Sequence, residues 1–453
     1  MSSLQVSLLA SSEKRLVGSD GKKTGKESRL PYSTLFGSFR EPGVRMPNWR
    51  RLWSEHSVTL QLLLMQVLVA STAFIVNILS ATAMDPEGRG YLALLVQVTY
   101  VLTVAAMLGI ERPYIAARRG NFDQVLSELS RLLRPAYIVV GLLAVSVAFL
   151  FQGASSLAIP CGLIVLFLLG NVCSRLIRTG YIASGRISPF VLISISTQAV
   201  LLGAAVLLSI TATSNPDAWF FAYGASGLIA LFVTGLAVAR NRRIRIRKAE
   251  ERAIRRDGLR LLPASFGNTA MLRSDRLLLP ILASNSQLGI YVVVATTMEL
   301  ASWPIQNWVD ASLNRWRSRE GAARPGLQTI LYAAVATSGL AIMMGLATLL
   351  LIRLLLGPAY ASSEVLIVPL GLAAVVYAAS RVQQGIMIAD GHAKAVSWTE
   401  VIGMTVSVIG YILLIPTFGA MGAAIGSVVG YAACFLFGGL FYRRKNGRPG
   451  DSS

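Results

Sequence analysis

Histidine is almost missing from this chain: His56 and His392 are the only two in 453 residues. A zinc site or a histidine-based general base therefore has almost no material to work with. Cysteine is nearly as scarce. Cys161, Cys173 and Cys434 all fall in apolar stretches, so neither a disulfide nor a metal framework is indicated. No G-x-x-x-x-G-K-[ST] phosphate loop occurs, and no soluble segment is large enough to carry one, which argues against nucleotide hydrolysis. Acidic residues are few as well, 22 against 42 Lys and Arg, for a net charge of +20. Charged residues of both signs make up only 14% of the chain and hydrophobic residues 54%, the composition of a polytopic membrane protein.

What is abundant is apolar sequence in long runs. Twelve stretches stand out, at 57–83, 91–110, 135–151, 157–174, 190–208, 219–239, 259–283, 290–313, 327–356, 365–388, 399–416 and 423–441. Each has about the ~20 residues needed to cross a hydrocarbon core. Between them the charge alternates from segment to segment. One set of loops and tails holds 37 of the 42 Lys and Arg, and the opposite set holds only Arg89. Arg273, Arg276, Arg353 and Arg381 lie inside spans. By the positive-inside rule both termini are expected in the cytoplasm of a cell whose inner membrane the chain crosses. Scattered cytoplasmic loops account for the basic balance, and no nucleic-acid partner is expected.

The sequence predicts an all-α polytopic membrane protein of about twelve helices, in two pseudo-symmetric six-helix lobes around a central cavity. Residues 1–56 are basic and rich in Ser and Gly, and read as a disordered cytoplasmic tail. Its end, Trp49-Arg50-Arg51-Leu52-Trp53, suits either an interfacial anchor or an ordinary flank. An N-lobe is expected over 57–239, a basic inter-lobe loop over 240–258, a C-lobe over 259–441 and a short tail over 442–453. The halves share a turn. Asp85-Pro-Glu-Gly-Arg-Gly-Tyr91 follows span 1, and Ser284-Asn-Ser-Gln-Leu-Gly-Ile-Tyr291 follows span 7. The same topology at an offset of about 200 residues implies parallel repeats, related by an axis along the membrane normal.

Span 7 carries Arg273, Asp275 and Arg276 about 15 residues past Gly258, or ~22 Å into the membrane. Three central charges cost roughly 9 kcal/mol on the insertion scale, and the eleven Leu, Ile, Phe and Met of 259–283 return only about 5. This helix needs partners or a water-filled cavity. Its polar residues Ser265, Asn268, Thr269, Arg273, Asp275 and Arg276 fall on one arc. Glu299, Trp303, Gln306 and Asn307 share a face of span 8, and Tyr377, Arg381 and Gln384 share a face of span 10. Arginines in a cavity suit a phosphate or carboxylate group. Asp275 and Glu299, acids held within spans, are candidates for coupling to H+ or Na+. Arg353, near an outer span end, reads as snorkelling.

Four stretches, taken in order, resemble oligosaccharide flippases of the Wzx or polysaccharide-transporter type. They are Asp85–Leu95, Ser274-Asp-Arg-Leu-Leu-Leu through Gln287–Tyr291, Leu356-Gly-Pro-Ala-Tyr360 and Leu414–Ala424. That family shares a superfamily with multidrug extruders and lipid II flippases. Two departures stand out: the turn after span 7 lacks a Pro-Glu pair, and the N-terminal tail is long. The resemblance implies flipping of an undecaprenyl-pyrophosphate-linked oligosaccharide across the membrane for exopolysaccharide, capsule or O-antigen assembly. It implies no cofactor and no catalytic residue. A polysaccharide polymerase and chain-length or export proteins would be its partners. On this reading Arg273, Arg276 and Arg381 hold the pyrophosphate, and Asn268, Trp303, Gln306, Asn307, Tyr377 and Gln384 meet sugar. The alternative is a cation-coupled efflux carrier for small amphipathic molecules, which shares the two-lobed plan. A membrane-embedded glycosyltransferase fits less well, because the outer loops are too short to build a catalytic site.

The topology has a direct test. Reporter fusions at Gly153 and Asn215 are expected to score outside, and fusions at Gly120 and Arg247 inside. A reversed or mixed pattern overturns the arrangement.

Overall fold

The computed structural model describes residues 49–117, 120–138, 141–142, 158–184, 187–241, 246–318 and 325–446. Among them there is no strand. The first half contains α1 (Trp49–Ala83), α2 (Pro86–Ala106), α3 (Glu111–Ala117), α4 (Phe122–Leu132), α5 (Ala158–Ser184), α6 (Ile187–Ile210), α7 (Pro216–Ser226) and α8 (Leu228–Arg240). The second half contains α9 (Lys248–Leu282), α10 (Asn285–Ser318), α11 (Leu327–Leu351), α12 (Ile367–Ala389), α13 (Ala393–Phe418) and α14 (Ala420–Asn446). A π-helical turn (Ile352–Leu356) and a 3-10 segment (Pro358–Leu366) join α11 to α12. Ten spans among the described residues are long and apolar enough to cross a membrane, so the chain is a multi-pass membrane protein. The expected span 3 (135–151) lies largely outside the described residues. Span 7 is helical throughout as α9 but is not one of the ten. Its charges lower its hydropathy, as the insertion balance predicts.

Several boundaries differ from the sequence expectation, each because helix formation continues where nothing stops it. The tail expected to end at residue 56 is shorter, since α1 begins at Trp49. Pro47 is the nearest breaker, and no Gly or Pro follows it before the span. The inter-lobe segment 240–258, whose pattern suits either a surface helix or a solvated loop, is helical from Lys248, where α9 begins with Glu250 and Glu251 in its first turn, favoured there by the helix dipole. At 35 residues, or ~52 Å, α9 exceeds the hydrocarbon thickness and projects beyond it. Its early turns are docked rather than free: Ile254 is buried and Arg255 Nε donates to Leu132 O at 3.2 Å. The loop 111–134 holds two helices. In α4, Phe122, Val125, Leu126, Leu129 and Leu132 form one buried stripe. At the far end α14 runs on to Asn446, into the expected tail. Span 6 is two helices, broken at Gly227 where the chain packs against Gly170 of α5. Arg353 is not merely snorkelling, since its guanidinium meets Glu364 through two 3.0 Å hydrogen bonds.

The two halves repeat one packing plan. In the first, α1 lies on α6, α2 on α5 and α5 on α8; in the second, α9 lies on α13, α10 on α12 and α12 on α14. The shared turn sets the register. Asp85 Oδ1 caps α2 by accepting from Gly88 N at 3.0 Å, and Ser284 Oγ caps α10 by accepting from Gln287 N at 3.2 Å. Asp85 thus corresponds to Ser284 and Gly88 to Gln287, 199 positions apart. In this register Tyr91 stands opposite Ile290, so matching the two tyrosines misplaces the repeat by one residue.

The halves meet along α2 and α10. A Cβ on Gly90 would collide with the carbonyl of Asn285, and one on Gly289 with the carbonyl of Pro86. The two contacts are exchanged by the repeat, so each helix start rests on the other's glycine. Tyr360 OH adds a hydrogen bond to Met84 O at 3.0 Å across the same end. Gly90→Val and Gly289→Val are each expected to keep this seam from closing. Alkylation of a reporter cysteine at the fully buried Leu288 should then speed up several-fold. Gly339→Val, where nothing lies within 4 Å of the added Cβ, should leave the rate unchanged.

Candidate functional site

The charges of α9 and α10 converge. Arg273 and Arg276 are three residues apart and project to one side of α9. Glu299 of α10 meets both, with Oε2 3.5 Å from Arg273 Nη1 and Oε1 accepting from Arg276 Nη2. The burial is unequal. The Arg276 side chain is 2% exposed, Arg273 25% and Glu299 29%. One carboxylate thus bridges two guanidiniums, one sealed and one open. Asp275 is engaged elsewhere: Tyr291 OH donates to its Oδ2 at 2.6 Å, and the Arg276 amide donates to its Oδ1 at 2.8 Å. The acid whose oxygens reach both guanidiniums is therefore Glu299, with Asp275 adding its charge from the next residue.

These groups line a cavity of about 80 Å³. On α10, Ala295, Met298, Glu299, Ser302, Trp303 and Gln306 line it at helical spacing. Tyr377 of α12 and Tyr431 of α14 close another side, with ring centroids 5.0 Å apart. Gln306 Nε2 donates to Ser302 Oγ at 3.0 Å, which orients both polar groups along one wall. Every lining residue belongs to the second half. The first half faces the same cations through Tyr100 of α2, which lies within electrostatic range of Arg273, Arg175 and Arg276. Phe167 backs the Tyr100 ring edge-on at 5.9 Å and packs in turn on Phe220 and Tyr223.

Of the residues singled out from sequence, Arg273, Asp275, Arg276, Glu299, Trp303, Gln306 and Tyr377 come together here. Asn307 is partly buried on α10 but does not line the cavity. The side chain of Asn268 lies outside the described residues. Arg381 and Gln384 do not line it either. Arg381 Nη1 donates to Gln384 Oε1 at 2.8 Å and to Glu400 Oε1 of α13 at 3.2 Å, and Gln384 Nε2 reaches Cys434 Sγ of α14. The pair lies one and two turns beyond Tyr377, where α12 packs between α13 and α14. Tyr100, Tyr291, Ser302 and Tyr431 were missed. Ser302 carried a sequence signal, since it falls on the Glu299–Gln306 face, and Tyr291 stood in the repeated turn without being read as a site residue.

The shared carboxylate predicts a stability pattern. Glu299→Met leaves two cations facing each other in a mostly dry site and should destabilise the fold by about 3 kcal/mol. Adding Arg276→Met should recover most of that loss, because fewer uncompensated charges stay buried. Thermal unfolding in detergent checks both.

No protein-family model matches the chain, and no curated protein matches its sequence. Solved structures do match. One is a multidrug resistance MATE family transporter of the MOP superfamily in an inward-facing conformation, with TM-score 0.57 and 14% identity, covering 83% of this chain and 94% of that one. Another is the lipid II flippase MurJ in an inward closed conformation, with TM-score 0.61 and 12% identity, covering 84% of this chain and 87% of that one. Over more than four-fifths of its length, then, the chain has the two-lobed helical fold shared by those two membrane proteins.

Proposed function

We propose that this protein is a flippase that carries a lipid-linked oligosaccharide, held by its undecaprenyl pyrophosphate, from the cytoplasmic to the outer leaflet of the inner membrane. The observation that carries the reading is Glu299 shared between Arg273 and Arg276. A carboxylate placed between two guanidiniums occupies the position of an anionic ligand. Pyrophosphate oxygens could replace it, since guanidinium binds phosphate in pairs. The displaced Glu299 would then be free to take up a proton, which ties loading to an ion gradient. The partly exposed Arg273 is the group an arriving anion would meet first, and the buried Arg276 the second. Trp303, Tyr377 and Tyr431 offer faces and hydroxyls to sugar rings. A polar head needs such a cavity, while the prenyl tail can remain in lipid. Alternating access requires one half to rock against the other about the α2–α10 seam. The likeness to a lipid II flippase supports the fold that this cycle needs.

A second reading is favoured by a specific feature. The wall of Met298, Trp303, Tyr377 and Tyr431, with Glu299 beside it, would also accept a small amphipathic cation. That is the cargo of an efflux carrier, and a multidrug transporter has the same fold.

Flipping of labelled undecaprenyl-pyrophosphate oligosaccharide by purified protein in liposomes decides between them. Wild type should flip it, Arg273→Lys should keep part of the rate and Arg273→Ala should lose about tenfold or more. Glu299→Gln should flip with a weakened dependence on the proton gradient. Export of a cationic dye without flipping would establish the efflux reading instead.

A further inference from the structure

Arg89, the only basic residue that the sequence assigns to the outer set of loops, lies in the first turn of α2 and is not used by the cavity. It sits beside Gly90, on the seam where the halves touch. Its side chain is buried, with the residue only 5% exposed. Its one hydrogen-bond partner is an amide: Nη2 donates to Asn77 Oδ1, and Nε has no partner. The groups acting on it electrostatically are the phenols of Tyr223 and Tyr360 and the guanidinium of Arg276. None is a carboxylate, the Arg276 guanidinium repels it, and no acid among the described residues comes within ion-pair distance of it. A buried cation without a counter-charge is the costly arrangement that membrane proteins otherwise avoid. Arg273, Arg276, Arg353 and Arg381 of this same chain each have an acid. In the first turn of α2, the positive end of the helix dipole is met by Asp85 at the cap and Glu87 beside it.

We propose that Arg89 is an exit-side anion site, which takes the phosphate group of the cargo as the α2–α10 seam opens. In the closed seam the site is shut and its charge unmet. When the halves part, Arg89 reaches the outer mouth, and an anion moving outward from Arg276 meets it next. An anion that binds only the open arrangement shifts the equilibrium towards it. The three arginines then form a path from the partly open Arg273 through Arg276 to Arg89. The inference rests on the anionic-cargo reading above. The competing explanation is a latch, in which Arg89 holds Asn77 so that Asn77 Nδ2 can reach Val293 O of the other half at 3.5 Å.

The test uses full-length protein in detergent, with Leu288→Cys as the seam reporter and the three native cysteines changed to serine. Inorganic pyrophosphate is the probe. Its saturation should speed alkylation of the reporter by about fivefold or more. Arg89→Gln, which can still hydrogen-bond Asn77, should abolish that acceleration, and Arg89→Lys should retain it and serve as the folding control. Asn77→Ala should raise the basal rate yet keep the response. The proposal is overturned by equal acceleration in Arg89→Gln, or by Asn77→Ala losing the response as fully as Arg89→Gln. Calorimetry on the same samples separates the two claims. Pyrophosphate binding without acceleration in the wild type removes the exit site and leaves the cavity reading standing. Absence of binding removes both.

Discussion

A charge inside hydrocarbon must find its counter-charge within the protein, and much of the second half is arranged around that constraint. α9 carries more charge than its apolar residues can carry into a bilayer. It is stable there only because α10 brings Glu299 to two of its arginines and Tyr291 to its aspartate. The same requirement fixes α12 against α13 through Arg381 and Glu400. These pairs decide which faces of the helices turn inward, and so where a polar cavity can exist at all.

The second constraint is close approach. The starts of α2 and α10 can cross because Gly90 and Gly289 lack side chains, and the repeat places each glycine against the other half's backbone. Beside that backbone contact the seam buries apolar side chains of both halves, Leu92 and Leu95 of α2 and Leu288 and Val292 of α10 among them. The opposite end is built differently, with side chains of α9 docked on the first half by Ile254 and by Arg255 on Leu132. The two ends of the molecule thus have joints of different character.

Membrane character, the repeat and the charged stripe on α9 were legible because each rests on composition or periodicity along the chain. The amphipathic α4 was equally legible in Phe122, Val125, Leu126 and Leu129, but length-based span reading passes over a helix of 11 residues. Grouping Tyr377, Arg381 and Gln384 on one face of α12 was sound as helix geometry. Only Tyr377 of the three lines the cavity, because the stripe runs on along α12 to where Glu400 and Cys434 are the neighbours.

The sequence by itself determined that this chain crosses a membrane many times, that its halves repeat and that its deep charges need partners. Those properties follow from the low solubility of polar groups in hydrocarbon, which acts on each span separately. Only the tertiary structure decided which acid serves which arginine. Glu299 takes Arg273 and Arg276, Asp275 turns to Tyr291, Glu400 takes Arg381, and Arg89 is left with an amide. Pairing depends on distances between helices far apart in the chain, and a helical wheel carries the direction of a side chain but not what stands opposite it.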